Sequence, residues 1–160
     1  MKQINQFITE YIIKKKLETP INSEDHYDYY PETKEELSKN IQELLNNDKR
    51  NFNCIDTSKI TDMSELFKHE IFDKLIFDVS EWNVSNVTNM NYMFNECGIF
   101  DCDLSNWDVS KVTHMQHMFY RCYKFTGKGL ENWDVSNVTH MNDIFGKCTL
   151  LKNKPNWYKE

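Results

Sequence analysis

Glycine and proline are scarce in this chain of 160 residues, which has 4 Gly and 3 Pro. With so few, the chain has no flexible linker and no glycine-rich loop that could cradle phosphates, which excludes Rossmann and Walker nucleotide sites. Long apolar runs are also missing, since the longest, such as residues 11–13, span only a few positions. A membrane-spanning helix needs about 20 apolar residues and a secretory signal about 7–15, so we expect no membrane insertion and a cytoplasmic location.

Positive charge is in short supply, because 19 Lys and Arg face 25 Asp and Glu and the formal net charge is −6. A protein that binds the phosphate backbone of nucleic acids usually carries a basic stripe, so we expect no nucleic-acid partner. Hydrophobic residues, in contrast, make up 39% of the chain and aromatic residues 14%. This apolar content predicts a buried core rather than a wholly disordered chain.

A repeated segment runs through the sequence from Asn53 onward. Three copies read W-[ND]-V-S-x-V-T-x-M and begin at Trp82, Trp107 and Trp133, and a weaker copy begins at Ile55. The four starts are 27, 25 and 26 residues apart. A fixed period of this length indicates an array in which each unit buries its apolar face against its neighbours.

The spacing of apolar residues changes within each copy. Trp107 and Val109 alternate with Asp108, as on a strand with one buried face. From Val112 to Phe125 the apolar residues are instead three or four apart, which is typical of a short helix. The pattern predicts an α/β fold: a short leucine-rich-repeat solenoid of about four strand–turn–helix coils, each 25–27 residues long.

Equivalent apolar positions of successive copies predict ladders of core side chains. The four ladders are Phe52, Val79, Leu104 and Leu130; Ile55, Trp82, Trp107 and Trp133; Met63, Met90, Met115 and Met141; and Phe67, Phe94, Phe119 and Phe145. A single coil cannot cover its own apolar strip, so the array is stable only because neighbouring coils bury one another.

Both ends of the array differ from its middle. Residues 1–52 are predicted to form an α-helical cap, with one helix around residues 4–12 and a second that begins at the capping box of Thr33 and Glu36. The solenoid spans residues 53–151, and residues 152–160 form a partial coil. Trp157 and Tyr158 in this last segment are candidates for self-association, because a short last coil leaves an edge exposed. We therefore expect a homo-oligomer through the C-terminal coil as one alternative.

Cysteine and histidine residues raise the question of a metal site. Cys97, Cys122 and Cys148 each follow the repeat Phe by three residues, which predicts a ladder of buried thiols, and no paired C-x-x-C spacing for zinc occurs. His114 and His140 share one repeat position, which favours a variable solvent-facing site over a transition-metal patch. With no nucleophile elbow in the sequence either, we expect no metal, no cofactor and no catalytic residues.

Polar residues alternate with the repeat Trp and Val and are predicted to face solvent. They form an acidic, amide-rich strip of Asp56, Glu81, Asn83, Asn106, Asp108, Asn132 and Asp134. Repeat arrays bind partners through such continuous surfaces, and negative charge favours a basic protein partner. The loop with Tyr27, Tyr29 and Tyr30 is a candidate aromatic anchor for that partner.

The repeat unit, [LV]-x-x-W-[DN]-V-S-x-V-T-x-M-x-x-[MI]-F-x-x-C, resembles the BspA-like family of bacterial surface proteins, which carry treponemal-type leucine-rich repeats. The segments at residues 30–37 and 55–63 are similar to those that open many members. The resemblance implies a right-handed solenoid used for binding, without catalytic residues, and display on the surface or secretion by a nonclassical route. Several members are similar to adhesins that attach to host matrix or to other bacteria.

The sequence thus predicts a noncatalytic module that binds a protein partner through its solenoid surface. Two alternatives stay open. The chain could be a self-assembling structural protomer or a surface adhesin. As a lower alternative, an acidic surface could mimic nucleic acid and inhibit a nucleic-acid enzyme.

Overall fold

The structure is a computed structural model that describes residues 27–159. Two helices lie in this part of the chain, α1 at Lys34–Asn46 and α2 at Glu70–Asp73, and a 3₁₀ turn spans Leu130–Asn132. Pairing between chain segments consists of five isolated parallel bridges, of which three join Asp62, Asn89, His114 and His140 in sequence. The described residues contain no sheet, so turns carry most of the fold.

Helix α1 begins where the capping box predicts. Thr33 Oγ1 accepts a hydrogen bond of 3.2 Å from the N–H of Glu36, and the Glu36 carboxylate accepts one of 2.8 Å from the N–H of Glu32. These bonds satisfy N–H groups that a helix start leaves without partners. The apolar stripe of the helix is buried at Leu37, Ile41, Leu44 and Leu45. The second predicted helix is therefore present, whereas the one predicted around residues 4–12 lies outside the described residues.

The prediction of an α/β leucine-rich-repeat solenoid with about four strand–turn–helix coils is wrong. The residues of each copy fold as consecutive turns in which a backbone N–H donates to the carbonyl three positions earlier. In the third copy the donors are Trp107, Val112, Met118, Cys122 and Phe125, at 2.9–3.3 Å. The alternating segment forms no strand and the segment with three-residue spacing forms no helix.

Left-handed residues between the turns explain this difference. His117 has a φ of 52° and Arg121 a φ of 62°, and their equivalents Tyr92 and Glu96 have 58° and 64°. A residue with positive φ interrupts a right-handed helix, so the chain cannot continue as one past these positions. Apolar residues three apart occur both on a helix and in a series of turns, and the periodicity alone does not distinguish the two.

The core ladders lie where the sequence predicts them. All sixteen residues of the four ladders are buried except Met141, which is half-buried. The rings of Phe67, Phe94, Phe119 and Phe145 stack in order, with centroids 5.3, 5.5 and 5.9 Å apart and planes within 13° of parallel. Successive copies therefore bury one another even though they contain neither strand nor repeat helix.

Within residues 27–159, no helix has the length and apolar character needed to cross a bilayer.

Candidate functional site

The strip residue at the second position of each copy organises a turn. The side-chain oxygens of Asp56, Asn83, Asp108 and Asp134 accept hydrogen bonds from the N–H two residues later, at 2.9, 3.1, 3.0 and 3.0 Å. Asp and Asn form this kind of turn because their short side chains reach the backbone two residues on. One turn per copy places these four side chains at equivalent points of the stack.

Asp108 and Asp134 are the two exposed carboxylates of this series in adjoining copies. The Ser110 hydroxyl and N–H donate to Asp108 and hold the pKa of that carboxyl below its usual value. The N–H and hydroxyl of Ser136 lower the pKa of Asp134 in the same way, and the charge of Asp108 opposes that shift. Both carboxylates are therefore ionised at neutral pH. The opposing effect also indicates that the two charges act on each other across the copies.

The three remaining members of the strip form no such bond between side chain and backbone within residues 27–159. Glu81, Asn106 and Asn132 are exposed, and Asn132 is the last residue of the 3₁₀ turn. A cation lies beside the strip, because Lys111 lowers the pKa of Asp108 and donates a 2.7 Å hydrogen bond to Asn86 Oδ1. The strip is thus a mixed surface in which Asp108 and Asp134 are the two exposed carboxylates that a turn holds in place.

The three predicted anchor tyrosines have different roles. Tyr29 pairs with Ile55 in a parallel bridge, and its hydroxyl donates to Glu43 Oε1 at 3.1 Å, so it joins the N-terminal loop to α1 and the first copy. Tyr27 contacts Tyr30 edge to face, with centroids 6.3 Å apart. The Tyr30 side chain is 59% exposed and is the tyrosine of this loop with most surface open to a partner.

Trp157 continues the tryptophan ladder beyond the fourth copy. Its indole Nε1 donates to the carbonyl of Leu130 at 2.7 Å. The equivalent bonds of Trp82, Trp107 and Trp133 reach carbonyls of the preceding copy at 2.9, 3.0 and 3.3 Å. Tyr158 packs edge to face on Phe145 at 5.3 Å. Trp157 and Tyr158 are both half-buried and pack on the fourth copy. The period of the sequence predicted the position of Trp157 but not its hydrogen bond to Leu130.

The cysteine ladder forms hydrogen bonds between copies. Cys97, Cys122 and Cys148 donate from Sγ to the carbonyls of Phe67, Phe94 and Phe119 at 3.4, 3.0 and 2.9 Å. Burial raises the pKa of Cys97 and Cys122 far above that of a free thiol, and it raises the pKa of Cys148 to about 11. These residues are protonated thiols that bind backbone oxygen. Among the described residues no group of three or more His, Cys, Asp or Glu is arranged to hold a metal ion.

His114 and His140 stack directly on each other. Their ring centroids lie 4.5 Å apart with planes 4° from parallel, and each Nδ1 lies 2.7 or 2.8 Å from the hydroxyl of the preceding threonine. Thr113 and Thr139 give their hydroxyl hydrogens to carbonyl oxygens of the previous copy, at 3.1 and 3.2 Å. His117 stacks on Tyr92 instead, at 4.9 Å.

Comparison with known proteins identifies one family. The family described as "Mycoplasma protein of unknown function, DUF285" matches residues 35–157, which is most of the chain. No curated protein and no solved structure matched. The match is to the DUF285 family, and the described copies contain no strand–helix coils. The resemblance to BspA-like leucine-rich-repeat proteins is therefore wrong. The chain belongs to the DUF285 family.

Proposed function

We propose that this protein is a noncatalytic module that binds a basic protein partner through the strip, with Asp108 and Asp134 as its central charges. The supporting observation is that these two exposed carboxylates occupy equivalent turns of adjoining copies, each fixed by hydrogen bonds from the serine two residues later. A side chain that is already ordered loses less conformational entropy when a partner binds.

The charge of the strip sets the kind of partner. Exposed carboxylates attract lysine and arginine side chains, and they act more on the rate and orientation of encounter than on affinity. Salt screens such charges over about 8–10 Å at physiological ionic strength, so binding through the strip weakens as salt rises. Tyr30, with its exposed ring, supplies apolar contact for a partner that also reaches the N-terminal loop.

The chain itself suggests the variant that tests this proposal. Asn83 forms the same turn as Asp108 and Asp134 without a negative charge. The double variant Asp108→Asn/Asp134→Asn therefore removes two charges while it keeps both turns. Its matched control is Glu35→Gln/Glu70→Gln, which makes the same change of net charge at exposed positions of α1 and α2.

The measurement is quantitative capture of proteins from the source cell's lysate by the wild type and both double variants. We expect a partner that the wild type and the control retain and that Asp108→Asn/Asp134→Asn loses, with retention falling as salt increases. Equal capture by all three forms would reject the strip as the binding surface.

A further inference from the structure

A groove lies where α2 meets the second and third copies. Its volume is about 440 Å³, inside the range of about 300–1,000 Å³ that is typical of ligand sites. The residues that line it all lie between Lys68 and Tyr123, so no terminal segment takes part in the lining. No residue of the strip lines it either. The groove is therefore a second candidate binding site, separate from the strip.

Asn95 is a buried polar residue that opens onto this groove. The residue is 8% exposed, and its side-chain amide has no hydrogen-bond partner within residues 27–159. No fully enclosed side-chain nitrogen or oxygen in this part of the chain lacks a partner, so the Asn95 amide reaches the groove. The equivalent positions of the other copies hold Lys68, Tyr120 and Gly146, so the repeat itself does not require an amide here. A ligand that pairs with this amide recovers the hydrogen bonds that its burial costs.

Asp73, at the end of α2, brings a carboxylate to the same groove. The residue is half-buried, and its carboxylate forms no hydrogen bond or ion pair with the other described residues. Gly98 leaves the space for it, because a Cβ atom there would clash with Asp73 Oδ1 and would lie 3.4 Å from Tyr123 Cδ2. The third copy has Tyr123 itself at the position of Gly98. The Asp73 carboxylate and the Tyr123 ring therefore both lie against Gly98.

Tyr123 supplies an aromatic surface beside this carboxylate. Its side chain is 43% exposed, and no aromatic ring or cation of residues 27–159 stacks on it. Glu70, exposed in α2, adds a second negative charge to the groove. Negative charge and an open aromatic face together favour a cationic ligand, because the face of the ring attracts a cation as the carboxylate does.

The two basic side chains of the groove with a permanent charge are already paired with acidic ones. Arg121 Nη1 donates to Glu96 Oε1 at 2.6 Å, and Lys68 Nζ donates to Glu65 Oε2 at 3.2 Å. These pairs leave the Asp73 carboxylate to an outside cation. The groove therefore offers a ligand negative charge, an amide and an aromatic face.

We propose that the groove binds the guanidinium group of an arginine side chain from a partner protein. A guanidinium has five N–H donors in one plane, so it pairs with the Asp73 carboxylate, donates to the Asn95 amide oxygen and packs its flat face on the Tyr123 ring. A lysine ammonium has the charge without the plane and makes fewer of these contacts. The site does not depend on the strip, so either proposal can fail alone.

NMR titration of the isotope-labelled full chain tests the proposal. The probe is arginine with both termini blocked, Nα-acetyl-arginine methylamide, which represents an arginine within a protein. The matched control is the same compound of citrulline, which has the shape of arginine and no charge. We expect blocked arginine to cause saturable shifts of the Asn95 side-chain amide and of the backbone N–H groups of Gly98 and Tyr123. Blocked citrulline should bind at least about tenfold more weakly, since it forms no charge-assisted hydrogen bond.

Two variants assign the contacts. Asp73→Asn keeps the shape of the side chain and removes its charge, so the affinity for blocked arginine should fall at least about tenfold. Its matched control, Glu131→Gln, makes the same change of net charge at an exposed position outside the groove and should leave the affinity unchanged. Asn95→Leu should weaken binding at least about threefold without lowering the melting temperature, because the amide has no partner within residues 27–159.

Several results would overturn the proposal. These are no saturable binding of blocked arginine, equal binding of blocked citrulline, and unchanged affinity in a folded Asp73→Asn variant. A lower melting temperature with unchanged affinity in Asn95→Leu would assign the amide to the fold and remove it from the site. Binding of free arginine without binding of blocked arginine would make a free amino acid the ligand and reject a protein partner.

Discussion

Trp157 stacks on Trp133 with ring centroids 6.3 Å apart and planes 6° from parallel, and its indole donates to the carbonyl of Leu130. This contact repeats the one between Trp107 and Trp133, also at 6.3 Å. Trp157 thus continues the tryptophan ladder by one position beyond the fourth copy.

Substitution of tryptophans within and at the end of the ladder should have unequal effects on stability. Trp107 is 4% exposed and lies between Trp133 and Phe94, at 6.3 and 6.0 Å, and its indole donates to Val79. We expect Trp107→Ala to lower the free energy of unfolding by about 3–5 kcal/mol, since it opens a large cavity in the core. It also removes the indole hydrogen bond to the Val79 carbonyl, which keeps the bond from the N–H of Trp82.

Trp157→Ala is the comparison for this measurement. Because Trp157 is half-buried and packs on the ladder from one side, its loss should cost less than that of Trp107. Urea unfolding followed by far-ultraviolet circular dichroism gives both values. A loss below about 1 kcal/mol for Trp107→Ala would contradict the role of the ladder as the core.

Sequence predicted the positions of the core better than the path of the backbone. The Trp and Phe ladders follow from the period alone, and Thr33 with Glu36 located the start of α1 because capping residues act locally. The turns were missed because His117 and Arg121 are left-handed although neither is Gly or Asn, the residues that usually signal this conformation.

Substitution by glycine should raise the free energy of unfolding at a residue with positive φ and lower it at the neighbouring residue. Asp143 has a φ of 52°, a conformation that costs a residue with a Cβ atom about 1–2 kcal/mol and glycine much less. We expect Asp143→Gly to raise the free energy of unfolding by up to about 1 kcal/mol, after the extra entropy that glycine loses on folding.

Asn142 provides the matched control, because it is the preceding residue and is not left-handed. Asn142→Gly should lower stability by about 0.5–1 kcal/mol through backbone entropy alone. Thermal unfolding of the two variants beside the wild type measures the difference. If both glycines destabilise equally, backbone strain at Asp143 is not the cause.

Acid should weaken the fold partly through Asp103. Its contact with Lys128, together with hydrogen bonds from Ser105, lowers the pKa of Asp103 from 3.8 to about 2. A depressed pKa means that the ionised carboxylate stabilises the folded state above its unfolded pKa, and this contribution disappears as the pH falls from about 4 toward 2.

The variant Asp103→Asn should therefore be less stable than the wild type at neutral pH, and its stability should fall less steeply between pH 4 and pH 2. Urea midpoints measured across this range give the slope. Lys128→Gln removes the first cause of the shift and should flatten the same region. Parallel curves for the wild type and Asp103→Asn would assign the acid sensitivity to other carboxyl groups.

The cysteine ladder should be unreactive in the folded protein. Cys97 and Cys122 are buried, donate to backbone carbonyls and have raised pKa values, so their thiolate fraction at neutral pH is negligible. Cys54 is half-buried, and burial raises its pKa as well. We expect iodoacetamide to label Cys54 before Cys97 and Cys122, which should react only when the protein unfolds. Peptide mass mapping of the alkylated sites in native buffer and in urea measures the order, and rapid native labelling of Cys122 would show that the stacked copies open readily.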